Sequence, residues 1–108
     1  MATIKMRQGD SFPILVELTQ DGEALAPALV SDVEIHVGEE LRRTYSGGDL
    51  WFDEGEQKWW FLPTQEETHA LEPGQYTVEA RVKYLDDTVQ GIQLGRVTVD
   101  DGISEEVL

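Results

Sequence analysis

The sequence predicts an all-β fold: a single antiparallel β-sandwich of about seven to eight strands, with one short helical turn near residues 64–71. Three observations predict it. Apolar residues alternate with polar ones through most of the chain, the period of a strand with one buried face. Turn residues interrupt that alternation about every ten residues, the spacing of a sandwich rather than of βαβ units. In the clearest segment, Tyr76 to Tyr84, a helix would scatter the apolar residues around its circumference, whereas a strand gathers them on one face.

Ile4 and Met6 share a phase and suggest a short first strand, closed by Gly9-Asp10. Phe12, Ile14, Val16 and Leu18 form the next one up to Asp21-Gly22. Pro13 cannot donate a ladder hydrogen bond, so this strand belongs at a sheet edge or is bulged there. Val33, Ile35 and Val37 make a third strand, stopped by Gly38-Glu39-Glu40, and Ser46-Gly47-Gly48-Asp49 marks a further turn. Trp51 to Phe61 reads as a hairpin around Glu54-Gly55. Thr64-Gln65-Glu66-Glu67 is a capping box, in which hydroxyl and carboxylate each take a backbone N–H of the other residue. A turn or two of helix can follow before Pro73 ends it and bridge the two sheets at the sandwich edge.

Pro73-Gly74-Gln75-Tyr76 then turns the chain into the clearest strand, Tyr76 to Tyr84. Tyr76, Val78, Ala80, Val82 and Tyr84 lie on one face, and Thr77, Glu79, Arg81 and Lys83 on the other. After Asp86-Asp87, Ile92 and Leu94 are in phase with each other but one step out from Val97 and Val99. A β-bulge near Gly95 restores the register. Residues 1–100 are therefore expected to form the β-sandwich domain, and residues 101–108 an acidic C-terminal tail.

The 108 residues, 40% hydrophobic and 28% charged, suit one globular domain. Cysteine is absent, which excludes disulfides, thiolate metal sites and thiol nucleophiles. No Asn is present, which excludes N-glycosylation. No apolar run reaches the length of a signal peptide core or a membrane span, so synthesis in the cytoplasm and no membrane partner are expected. Acidic side chains number 22 against 8 basic, a net charge of -14. Such a surface repels nucleic acid, so no nucleic-acid partner is expected. It leaves three readings of the charge: solubility, a basic partner surface, or mimicry of DNA by an inhibitor.

Four stretches, taken together, resemble a known group. They are Met6-Arg7-Gln8-Gly9-Asp10-Ser11-Phe12, Leu62-Pro63-Thr64-Gln65-Glu66-Glu67-Thr68, Leu71-Glu72-Pro73-Gly74-Gln75-Tyr76-Thr77-Val78-Glu79-Ala80, and Gly95-Arg96-Val97-Thr98-Val99. The chain is similar, over roughly residues 4 to 99, to small Ig-like β-sandwich proteins of tailed phages and prophages. That group includes the N-terminal domain of baseplate upper proteins and short relatives from the tail region. In it, a basic-x-Gly-Asp start precedes the first long strand, a Thr-x-x-x-Thr turn leads into Leu-x-Pro-Gly-x-Tyr, and Gly-x-Val-x-Val closes the domain. The tryptophans of residues 51–60 have no counterpart in that pattern. The resemblance implies an Ig-like sandwich acting as a virion structural part, in the tail, baseplate or fibre region. It supplies no catalytic residues. Partners would be other phage structural proteins, with a homo-oligomer as a further option.

The candidate functional surface is the hairpin, through Trp51, Phe52, Trp59 and Trp60. In a strand, Trp59 and Phe61 point one way while Trp60 and Leu62 point the other, so both faces carry large apolar groups. One face can serve as a protein interface, as extra internal packing, or as a sugar-stacking platform. The acidic loops at Asp86-Asp87, Asp100-Asp101 and Asp53 with Glu54 and Glu56 lack EF-hand spacing, so no metal is expected. His36 and His69 stand apart without metal-ligand spacing, and no serine sits in a nucleophile-elbow context. No catalytic residue, no cofactor and no enzymatic activity are expected.

Overall fold

The structure is a computed structural model and describes residues 2–103. Among the described residues, ten strands occur in the order β1 (Ala2–Arg7), β2 (Ile14–Val16), β3 (Thr19–Gln20), β4 (Glu23–Ala24), β5 (Val30–Val37), β6 (Leu41–Thr44), β7 (Trp51–Asp53), β8 (Lys58–Phe61), β9 (Gly74–Tyr84) and β10 (Val89–Asp100). A 3-10 turn at Pro27–Leu29 precedes β5, and an α-helix, α1 (Gln65–His69), lies between β8 and β9. The fold is all-β. Its count exceeds the expected seven to eight because β3 and β4 are a two-residue hairpin at Asp21-Gly22. No helix among the described residues is long and apolar enough to cross a membrane.

Five strands form one sheet in the order β1-β10-β9-β5-β6, and three form another in the order β2-β8-β7. All pairings are antiparallel except β1 with β10, which run parallel. One continuous core joins the sheets. Ile14 and Val16 of β2 and Trp59 and Phe61 of β8 cluster with Val33, Ile35, Val37, Val78, Ala80, Val82, Val97 and Val99 of the five-stranded sheet. This is the period-two pattern at work: in β9, Val78, Ala80 and Val82 are buried while Glu79, Arg81 and Lys83 are exposed. Each such aliphatic side chain stabilises the fold by about 1.5–3 kcal/mol relative to leaving it in water.

The local expectations can be followed residue by residue. β9 begins two residues before Tyr76, at Gly74. The phase break in the last strand is a bulge at Leu94, where the register with β9 jumps between Gln93 and Gly95. Pro13 stands just ahead of β2, an edge strand of the three-stranded sheet, where its missing N–H costs nothing. β6 was not legible from the sequence, because Leu41-Arg42-Arg43-Thr44 offers only one apolar residue. Ile35 pairs with Arg43 in the ladder, which puts Arg43 on the core side of its sheet, at the rim. Of the expected tail, residues 101–103 follow β10 without regular structure, and residues 104–108 lie outside the described residues.

Candidate functional site

The hairpin forms as expected, with β7 and β8 paired from Trp51↔Trp60 to Asp53↔Lys58. Strand alternation then forces a choice between Trp59 and Trp60. Trp59 turns inward and is fully buried. Its indole N–H donates to the Leu25 carbonyl at 2.8 Å, and its ring meets Tyr45 and Phe52 edge-on at 5.2 and 5.3 Å. Phe52, half-buried, packs against the same core. Trp59 has no surface left to offer a partner, and Phe52 spends its inner face on the Trp59 ring. The expectation that Trp59 and Phe52 belong to an interface is therefore corrected: both serve internal packing, because their phase faces the five-stranded sheet.

Trp60 and Trp51 face outward. Their rings lie 4.7 Å apart between centroids with a 32° tilt, a partial stack across the two strands. On the other side of β8, Leu15 of β2 is the ladder partner of Trp60. The three side chains thus form one row across the whole width of the three-stranded sheet. Leu15 is 40% exposed, Trp51 42%, and Leu62, two residues beyond Trp60 on the same face, 44%. Leu15 was missing from the expected set. Its signal was present in the sequence, since it is the large apolar residue out of phase with Ile14 and Val16. Acidic residues border the row at Asp53, Glu54 and Glu56 in and beside the turn. The arrangement offers a flat apolar strip with an acidic margin, which suits contact with a surface rather than enclosure of a small molecule.

Three of the four stretches that carry the sequence resemblance meet at the turn after β1, where the contacts are structural, and the fourth, Gly95 to Val99, pairs along β1. The Thr68 hydroxyl, fully buried, accepts from the Gly9 N–H at 3.0 Å and donates to the Asp10 carbonyl at 2.8 Å. The Asp10 carboxylate accepts from the Arg7 N–H, and the Gln8 amide donates to the Leu71 carbonyl. Gly9 has φ +89°, and an added Cβ would come within 2.8 Å of the His69 ring, so the turn requires glycine. The Tyr76 hydroxyl reaches back to the Glu72 carbonyl at 2.5 Å. These motifs staple the β1 turn to α1 and to the start of β9.

The capping box is formed, with Thr64 Oγ1 accepting from Glu67 N at 3.1 Å and Glu67 Oε1 accepting from Thr64 N at 2.8 Å. The same carboxylate receives both Nη atoms of Arg43, at 2.5 and 3.0 Å, and the Arg43 guanidinium lies over the Phe61 ring. Hydrogen bonding from Arg43 holds the Glu67 carboxyl below its ordinary value, and the backbone bond at Thr64 adds to this. A carboxyl lowered in the folded state adds stability above its unfolded pKa and loses it as pH falls through the folded pKa. Glu67→Gln is accordingly expected to cost about 1–2 kcal/mol at neutral pH, with the difference from wild type shrinking once the pH drops below about 4. Urea denaturation at both pH values measures it, and a pH-independent difference would contradict the pairing.

The two histidines stay apart. His36 Nε2 sits 2.6 Å from Glu34 on the outer face of β5, and that carboxylate also accepts from Arg42. The hydrogen bonds from His36 and then Arg42 lower the Glu34 pKa. His69 lies against Gly9, with its Nε2 buried and without a hydrogen-bond partner among the described residues. Several acids close turns: Asp53 accepts from the Gly55 N–H, and Asp86 from the N–H and hydroxyl of Thr88. Among the described residues no group of three or more His, Asp or Glu is placed to hold a metal ion. No family model, curated protein or solved structure matches the chain.

Proposed function

We propose that the chain is a non-enzymatic protein-binding module, built as an Ig-like β-sandwich, that serves as an accessory structural part of a phage or prophage particle. The observation that carries the binding reading is the outward-facing row Leu15, Trp60 and Trp51, with Leu62 beside it, in which Leu15, Trp51 and Leu62 are exposed and Trp60 is half-buried. Tryptophan anchors of this kind dominate protein interfaces, because a large rigid ring gains much contact area at little entropic cost. The single core beneath makes the module rigid, so it displays the row without reorganising it.

The Ig-like reading is supported by strand order. In an Ig sandwich, strands G, F and C lie side by side with C′ at the edge in variable-type domains, opposite a sheet containing B, E and D. Here β10-β9-β5-β6 occupies the first set of positions and β2-β8-β7 the second. The Tyr76 hydroxyl bonded to the carbonyl four residues upstream, at the start of β9, is the arrangement of a tyrosine corner. The chain lacks the disulfide and the strand-C tryptophan of antibody domains, and Trp59 fills the core from β8 instead. The virion role rests on the sequence resemblance, and places the module in the tail, baseplate or fibre region with another virion protein, or a further copy, as partner. Mass spectrometry of purified particles from the host should find the chain among the virion proteins. Its absence from every particle fraction, alongside ordinary cytosolic expression, would contradict the role.

A further inference from the structure

The five-stranded and the three-stranded sheet each present an edge strand to one shared groove, β1 for the larger sheet and β2 for the smaller. Between them runs an open groove of about 360 Å³, at the lower end of the roughly 300–1,000 Å³ typical of binding clefts. Ile4 and Leu94, both half-buried, line it together with Val16 and Val78. The bulge at Leu94 widens the sheet at this point, since it inserts one residue of β10 opposite β9.

The charge beside this groove is opposite to that of the molecule. Of eight basic side chains, Arg42, Arg43, Arg81 and Lys83 are held in ion pairs. The other four hold no ion pair among the described residues, and they gather here. Lys5 and Arg7 are the exposed outward residues of β1, Arg96 is the ladder neighbour of Thr3, and Lys58 contributes to the lining. Glu17, from the β2 side, is the one acid in the lining. In a chain with 22 acids, these cations thus sit on β1, on its neighbour β10 and, through Lys58, on β8 across the groove.

We propose that the outer edge of β1 accepts an extended segment of a partner protein in which apolar and acidic residues alternate. This deepens the protein-binding reading and rests on it. An added strand would take the main-chain hydrogen bonds that β1 leaves unused. Its alternate side chains point to opposite faces. One set enters the groove over Ile4 and Leu94, and the other set meets Lys5 on the neighbouring strand, where opposite charges attract, with Arg96 one strand further in. β1 is the better edge because it runs for six residues without proline, whereas β2 has three residues and follows Pro13.

Fluorescence anisotropy with a labelled peptide of alternating valine and glutamate tests the assignment on the full chain. Expected is saturable binding that a valine–lysine peptide lacks, and that methylation of alternate peptide amides abolishes. Lys5→Glu combined with Arg96→Glu, both at exposed positions, should weaken binding about tenfold or more, with circular dichroism confirming the fold. Trp51→Ala, on the far strand of the tryptophan row and outside the groove lining, should leave this affinity unchanged, which separates the groove from the row. Absence of binding, equal binding of the lysine peptide, or indifference to amide methylation overturns the proposal. So does affinity that appears only when Glu105 and Glu106 are changed to Gln, since that would assign the edge to the chain's own tail.

Discussion

Trp59→Ala should unfold the protein or leave it barely folded at 37 °C. The side chain is fully buried between Tyr45 and Phe52. Removing a buried tryptophan costs about 3–5 kcal/mol through lost transfer energy and the cavity left behind. That is a large part of the roughly 5–15 kcal/mol by which domains of this kind are stable. The Leu25 carbonyl also loses its indole donor, which adds the penalty of an unpaired buried acceptor. For a domain near 100 residues the melting temperature should fall by something on the order of 15–25 °C. Differential scanning calorimetry measures the shift, and a change of only a few degrees would contradict the placement of Trp59 in the core. Trp59→Phe should recover part of the loss, because the volume is largely restored while the indole donor stays absent.

The second large effect belongs to Thr68→Val, which keeps side-chain shape and removes only the hydroxyl. Its hydroxyl serves the Gly9 N–H and the Asp10 carbonyl, 59 and 58 residues away in sequence. Without it, two backbone groups of the β1 turn lose their partners inside a closed contact with α1. Each costs about 1–3 kcal/mol when left unsatisfied. The turn is partly buried, so some water can reach it, and a total of about 2–3 kcal/mol is expected. Thr68→Ser, which retains the hydroxyl, should lose far less. Chemical denaturation of the three proteins checks the order, and equal losses for Val and Ser would mean that the methyl group matters rather than the hydrogen bonds. Amide exchange at Gly9 offers a local readout, since it should speed up in Thr68→Val alone.

Where one residue's neighbours decide its state, the sequence was sufficient. Alternation located β9, the phase break located the bulge at Leu94, and Thr64 with Glu67 announced the capping box. Pro13 pointed to an edge strand. Where the deciding partner lies far along the chain, the sequence was silent. A one-residue change of register exchanges the two faces of a strand. Nothing local says whether Trp59 or Trp60 goes inward, and the Leu25 carbonyl that receives the Trp59 indole is 34 residues away. β6 was hidden for a related reason. Arg43 is an arginine on the core side of a strand, tolerable only because the Glu67 carboxylate arrives from α1 to neutralise it. The parallel pairing of β1 with β10 joins the two ends of the domain and leaves no trace in periodicity.

The tryptophan row follows from this resolution. Once Trp59 is committed to the core, Trp60 is committed to the outer face, and Trp51 and Leu15 come with it through the ladder. The row adds little to the fold itself. A stacked aromatic pair is worth about 0.5–1.5 kcal/mol beyond its burial, whereas an interface anchor costs 2 kcal/mol or more when truncated.

The most direct test is Trp60→Ala read two ways on the same preparation: stability by chemical denaturation, and incorporation into purified particles by quantitative mass spectrometry. The expected result is a folded monomer within about 1–2 kcal/mol of wild type whose incorporation falls severalfold or more. Incorporation equal to wild type from a folded Trp60→Ala chain would contradict a binding role for this face.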